Sequence, residues 1–259
     1  MQVRTLHNWD LTPTEARALQ DRLRARVVQT NELRELRSVA GVDISTAREC
    51  AHAAIVVLRF PELDPIEAVE AELPLNFPYV PGLLAFREAP AILAAAALLR
   101  KAPDLFIIDG HGLAHPRRLG LACHVGLFLD RPTIGCAKSP LCGDVRYLGP
   151  SMGDCAAILE GRDTIGAAVR TRHDVEPVYV SIGHKVDLPI AIATVLRCCR
   201  GYRLPEPTRW AHRIAGGERL PPPREQRIYR GGSPTRQDPP DSSPDTSEVS
   251  LLSDRRSAF

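Results

Sequence analysis

The sequence predicts an α/β protein: a mixed five-stranded sheet flanked by helices. Two observations carry this expectation. Three apolar runs, VAGVDIS, AHAAIVVLRF and IEAVEAELP, follow one another closely, as in an antiparallel meander. Helix-like and strand-like stretches then alternate, the pattern of a sheet covered by helices.

Each element has a local reason. Thr12-Pro13-Thr14-Glu15 reads as a capping box with proline at the first helical position. Ala16, Leu19, Leu23 and Val27 then recur at helical spacing. The three strand runs follow, the first ending near Asp43. AILAAAALLRK has the alanine-rich propensity of a helix, and PDLFIID is a fourth strand. PRRLGLACHVGLFL reads as a helix and PTIGCAKS as the fifth strand. EPVYVSIG is a further strand and LPIAIATVLRCC a buried helix. Three strands followed by alternating helix and strand is the order of an RNase H-like core. From about residue 221 the chain becomes rich in Pro, Ser, Asp and Arg, with six basic and six acidic residues. Such a segment buries too little apolar surface to offset its ordering entropy. The expectation is one domain over residues 1–220 and a disordered tail over 221–259.

Composition excludes several classes. With 44% hydrophobic and 25% charged residues, the chain reads as globular. No run of about 18 apolar residues suggests a membrane span. MQVRTLHNWD lacks the apolar core of a signal peptide, so a cytoplasmic protein is expected. The seven cysteines show no framework spacing and no C-x-x-C pair, which fits reduced thiols rather than disulfides or zinc. A net charge of +2 does not by itself argue for nucleic acid. The kind of cation is more telling: of 33 basic residues, only Lys101, Lys138 and Lys185 are lysine. A compact ammonium in an arginine-dominated chain asks for a reason.

Two aspartates stand out. Asp43 ends the first strand, in VAGVDIS, and Asp109 ends the fourth, in LFIIDGHG. Either one alone reads equally as a turn cap or an arginine partner. On parallel neighbouring strands, both carboxylates would share one sheet edge, where like charges need a cation. Hard oxygen ligands favour Mg2+ or Mn2+. Glu88, near a helix start, is either a partner of the helix dipole or a third carboxylate over the pair. Gly110 and Gly112 permit close approach of backbone or substrate, and are also ordinary turn residues. His111 and His115 are four apart, but glycines interrupt any helix there and no third soft ligand joins them, which argues against zinc.

These residues carry a resemblance. VAGVDIS, PYVPGLLAFREAP, PDLFIIDGHGLAHPRRLGLACHVG, TIGCAKS, PVYVSIGHKVDLPIA and YRLPEPTRWAHR occur in order over residues 39–213 and resemble the endonuclease V family, the deoxyinosine 3′ endonucleases. One departure is Ile182, where the family commonly has proline. The resemblance implies a DNA repair endonuclease. It would recognise deoxyinosine and hydrolyse the second phosphodiester bond 3′ to it, leaving 3′-hydroxyl and 5′-phosphate, with Mg2+ as cofactor and Mn2+ substituting. It also implies Asp43, Asp109 and Glu88 as metal and catalytic residues, with Lys138 and His212 completing the catalytic set.

The segment Phe77-Pro78-Tyr79-Val80-Pro81-Gly82 has its own logic. Prolines stiffen the backbone on both sides of an aromatic. The residues allow a core loop as readily as a wedge; the resemblance implies that Tyr79 separates the strands. A flipped base would then meet Gly82, Gly110 and Gly112, with Pro78 and Pro81 shaping the loop. Arg87, Arg117, Arg118 and His115 are candidates for phosphates. DNA containing deoxyinosine is the expected partner of a monomeric enzyme. The alternatives are an inosine-specific endoribonuclease, or a nucleic-acid-binding protein without catalysis; the presence of all three carboxylates argues against the latter.

Overall fold

The meander and the parallel strands are both present, in a sheet larger than expected. In the computed structural model, which describes residues 1–47, 49–218 and 226–230, one sheet holds ten strands. They are β1 Ser38–Ala47, β2 Cys50–Arg59, β3 Pro65–Pro74, β4 Leu105–Ile108, β5 Thr133–Ala137, β6 Asp144–Val145, β7 Cys155–Glu160, β8 Asp163–Val169, β9 Val178–His184 and β10 Gln226–Arg230. The helices are α1 Pro13–Leu23, α2 Leu84–Ala97, α3 Leu121–Leu129, α4 Leu188–Arg197 and α5 Glu206–Ala215. The strand order is β10-β3-β2-β1-β4-β5-β9-β8-β7-β6.

The five expected strands form its middle in RNase H order. β3, β2 and β1 run antiparallel, while β1, β4 and β5 run parallel. The sheet extends beyond these five: β9, the further strand expected from EPVYVSIG, is followed by β8, β7 and β6 on one side, and β10 lies on the other. β10 pairs in parallel with β3, so the expectation of a tail without structure is corrected for Gln226–Arg230. The rest of that tail lies outside the described residues.

Alternation sorts the strands onto two cores. Val39, Leu105 and Ile107 face a cluster that includes Ala191 and Val195 of α4 and Ala211 and Ile214 of α5. Ala40, Val42, Phe106 and Ile108 face α2 and α3. A strand covered on both faces reads as a continuous apolar run, which is why LFII carries no alternation.

Three boundaries differ from the sequence expectation. β1 continues past Asp43, because its antiparallel pairing with β2 outlasts its parallel pairing with β4. Asp43 therefore sits within a strand, at the line where β4 stops. α2 begins at Leu84 and runs through Pro90, and α3 begins only at Leu121. The capping box of α1 is present: the Glu15 N–H donates to Thr12 Oγ1 at 3.3 Å, and the Thr12 N–H donates to Glu15 Oε2 at 2.8 Å.

Candidate active site

The register of β1 against β4 brings the two aspartates together. Val42 lies opposite Ile108, and the Asp109 N–H donates to the Val42 carbonyl at 3.0 Å. One step further along each chain, Asp43 and Asp109 are neighbours. Glu88, in the first turns of α2, is close enough for its charge to be raised in energy by both.

The third side of the site is built by a glycine. A Cβ on Gly41 would lie 1.8 Å from the Pro207 carbonyl oxygen, so only glycine lets the start of α5 rest on β1. Residues two apart on a strand share a face. Gly41 meets Pro207, Asp43 meets His212, and Ser45 Oγ donates to the Ala215 carbonyl at 2.6 Å. The helix thus lies along the aspartate face of β1. It sets His212 Nδ1 at 2.7 Å from Asp43 Oδ2, with the His212 side chain 59% exposed. Lys138, just beyond β5, places Nζ 2.5 Å from Asp109 Oδ2.

The electrostatics follow from crowding. Burial, then the charge of Asp109, push the Asp43 carboxyl up to about 6, against the opposing pull of His212 and Lys138. Burial, then Asp43 and Asp109, push Glu88 up to about 7. Burial works against the Lys138 charge, but its hydrogen bond to Asp109 and the nearby carboxylates outweigh this and raise its pKa. Among the described residues, no three His, Cys, Asp or Glu side chains already form a ligand set; Asp43 turns to His212 and Asp109 to Lys138. Asp43 and Glu88, pushed towards the neutral form beside Asp109, nevertheless fit a hard divalent cation, which would favour their charged state.

Beside this cluster is a cavity of about 170 Å³, whose lining includes Tyr79, Pro81, Gly82, His111, His115 and Leu141. Tyr79 is 76% exposed at its mouth. A larger open groove of about 580 Å³, near Arg37, Lys101 and Asp104, lies at the opposite ends of β1 and β4 and contains none of the expected site residues.

Gly110, Gly112 and Pro78 do not line the cavity. The Gly112 N–H donates to Ser181 Oγ at 2.9 Å, and a Cβ there would lie 2.0 Å from the Ile182 carbonyl oxygen. The close approach that glycine permits is by the protein's own backbone. His115 lines the cavity; it is buried, and burial pushes its pKa down to about 4. Its Nε2–H donates to the Gly82 carbonyl at 3.0 Å, and its Nδ1 accepts from the Arg117 N–H at 3.1 Å. Arg87 is bonded to the Phe77 carbonyl, Arg117 to Gln20 and the Gly82 carbonyl, and Arg118 to the His115 carbonyl and Glu160.

Other site residues were not singled out from the sequence. Gly41 carried a signal, a glycine inside a strand run two residues before the aspartate. Gln20 carried one too, a polar residue on the apolar face of α1. Leu141 had none.

A family profile described as Endonuclease V matches residues 21–213. The chain belongs to the endonuclease V family. Endonuclease V of Gloeobacter violaceus is 51% identical over 212 residues, covering 80% of this chain and 86% of the relative. The crystal structure of endonuclease V from Streptomyces avermitilis is 43% identical with a TM-score of 0.77, covering 84% of this chain and 97% of that one. Endonuclease V of Ciona intestinalis, crystallised with a 24mer DNA containing an inosine followed by a ribo-adenosine, is 28% identical with a TM-score of 0.69, covering 79% of this chain and 96% of that one. As a member of the endonuclease V family, the chain is a hydrolase of phosphodiester bonds.

Proposed function

We propose that this endonuclease V recognises deoxyinosine in DNA and hydrolyses the second phosphodiester bond on its 3′ side, leaving 3′-hydroxyl and 5′-phosphate. The observation that carries this reading is the pairing of the carboxylate cluster with an exposed tyrosine at the mouth of a small cavity. The inosine-containing DNA bound to the Ciona relative supports it.

Asp43, Asp109 and Glu88 would hold Mg2+, with Mn2+ substituting. Such a cation supplies charge against the scissile phosphate and lowers the pKa of water. The chain's own groups do the rest. Lys138, partly exposed beside Asp109, holds the phosphate at the sheet rim. His212 is tied to Asp43 through Nδ1, so Nε2 is the atom that delivers a proton to the leaving 3′-oxygen. Water adds to phosphorus, the P–O3′ bond breaks, and the oxygen leaves as hydroxyl. Tyr79 wedges into the duplex and replaces the lost stacking, while the displaced base enters the cavity.

An inosine-directed ribonuclease is the second reading. It is favoured by the ribo-adenosine that follows inosine in the Ciona complex, since a 2′-hydroxyl is accommodated there. The proposal includes a monomer acting in the cytoplasm, with the nuclease domain over residues 1–220. Among the described residues, no helix is long and apolar enough to cross a membrane. The test is cleavage of matched inosine-containing DNA and RNA duplexes with and without Mg2+, with the product ends mapped. Mg2+-dependent nicking of the DNA at the second 3′ bond is expected. Cleavage of RNA alone moves the assignment to the second reading, and cleavage of neither overturns both.

A further inference from the structure

We propose that Gln20 is a positioning residue that fixes the aromatic loop against the loop that follows His115, and thereby sets discrimination of inosine from adenine. This rests on the reading of the cavity as the base site. Gln20 lies on α1 and is only 1% exposed. A carboxamide on an apolar helix face is costly unless its bonds are made. Here they are: Nε2–H groups donate to the Gly82 carbonyl at 3.0 Å and to the Leu119 carbonyl at 3.1 Å, and Oε1 accepts from Arg117 Nε–H at 2.6 Å.

The two carbonyls belong to different loops, both of which line the cavity. Gly82 ends the loop that carries Tyr79, and Leu119 lies in the loop that follows His115. The Gly82 carbonyl also accepts from His115 Nε2 at 3.0 Å and Arg117 Nη2 at 2.8 Å. Three donors from three directions leave that peptide little freedom. Gly82 has φ +78°, and a Cβ there would lie 2.7 Å from Arg117 Nη2. The anchor therefore fits glycine alone, three residues after Tyr79. Among side chains of this length, only an amide donates twice and accepts once. Glutamate cannot donate, and methionine cannot do either. Gln20 lies one residue before the segment matched by the family profile.

The test uses Gln20→Met, which keeps length, and Gln20→Glu, which keeps only the acceptor for Arg117. Arg117→Met removes the Arg117 bonds to Gln20 and to the Gly82 carbonyl from a more accessible side chain, weakening the same anchor, and guards against a misfolded Gln20 variant. Melting temperature checks folding. Nicking kinetics are measured on matched inosine and adenine duplexes. Fluorescence of 2-aminopurine placed beside the inosine, in Ca2+, reports unstacking on binding. With the two donated hydrogen bonds lost in Gln20→Glu and all three lost in Gln20→Met, kcat/KM on inosine is expected to fall by about ten-fold or more while the adenine background holds. The fluorescence rise should shrink, Mn2+ affinity should stay unchanged, and Gln20→Met with Arg117→Met should lose less than the sum of the two. Wild-type discrimination and fluorescence in a folded Gln20→Met, alongside loss of both in Tyr79→Ala, would overturn the role of Gln20 and leave the cavity reading standing. Equal losses on inosine and adenine would reduce Gln20 to a purely structural residue and overturn the proposal. If Tyr79→Ala also keeps both properties, the cavity reading fails and the role of Gln20 fails with it.

Discussion

Replacing Glu88 with glutamine is expected to stabilise the ion-free protein while lowering its nuclease activity. The side chain keeps its size and loses its charge. Its pKa is raised from 4.5 to about 7 by burial, then by Asp43 and Asp109. A gap of that size corresponds to a ceiling of about 3 kcal/mol lost from stability when the group is fully ionised. Glutamine must bury an amide in its place, at a cost of about 1 kcal/mol. The net expectation is a gain of about 2 kcal/mol, or roughly 4–8 °C in melting temperature for a domain of this size. The sign with pH is fixed. The folded-state pKa lies above the unfolded one, so stability is highest below 4.5, where the group is neutral in both states, and is lost as pH rises through about 7. The advantage of Glu88→Gln should therefore be largest in alkaline buffer and shrink as pH falls from about 7 towards 4.5. Urea or thermal melts in EDTA across that range measure it, and Mg2+ should narrow the alkaline gap by stabilising wild type more. A variant that melts below wild type in alkaline buffer, or shows the same difference at every pH, would refute the reasoning that Glu88 is held in a repulsive cluster.

Gly41→Ala should cost about 3 kcal/mol in urea melts, because its Cβ would meet the Pro207 carbonyl oxygen at 1.8 Å and push α5 from β1. Nicking should fall with it, since His212 leaves Asp43; wild-type stability and rate would show that α5 does not depend on this contact. Tyr79→Ala should lose about 1–3 kcal/mol of stacking, read as a roughly five- to hundred-fold loss of preference for inosine over adenine in competition cleavage. Its Mn2+ affinity, followed by calorimetry, should not change, and an undiminished preference would remove the wedge role.

The legible part of this molecule is the part where sequence pattern and physics coincide. The meander and β4 are strongly apolar, and the capping box of α1 is a local signature. β6 to β8 were not read, because β6 has two residues and β7 alternates irregularly between exposed and buried positions. Asp43 and Asp109 were legible as a pair because their runs are parallel neighbours, but the place of Asp43 within β1 depends on how far β2 extends, which is a tertiary fact. Gly110 and Gly112 were legible as close-approach residues, but not what approaches them: the Leu121 side chain at Gly110, and at Gly112 the Ile182 carbonyl, distant in sequence. The burial of His115 is invisible in the chain. Gln20 could have been suspected, since it falls four residues after Ala16 on the apolar face, but its partners at Gly82 and Leu119 lie far away in sequence.

The most direct measurement is Mn2+ titration calorimetry on wild type, Asp43→Asn and Asp109→Asn, with nicking of one inosine duplex measured on the same samples. Both variants should lose the binding isotherm and the nick together while still retaining the duplex in a gel shift. Full nicking by either variant, or an undisturbed isotherm, would mean that these two carboxylates do not share an ion.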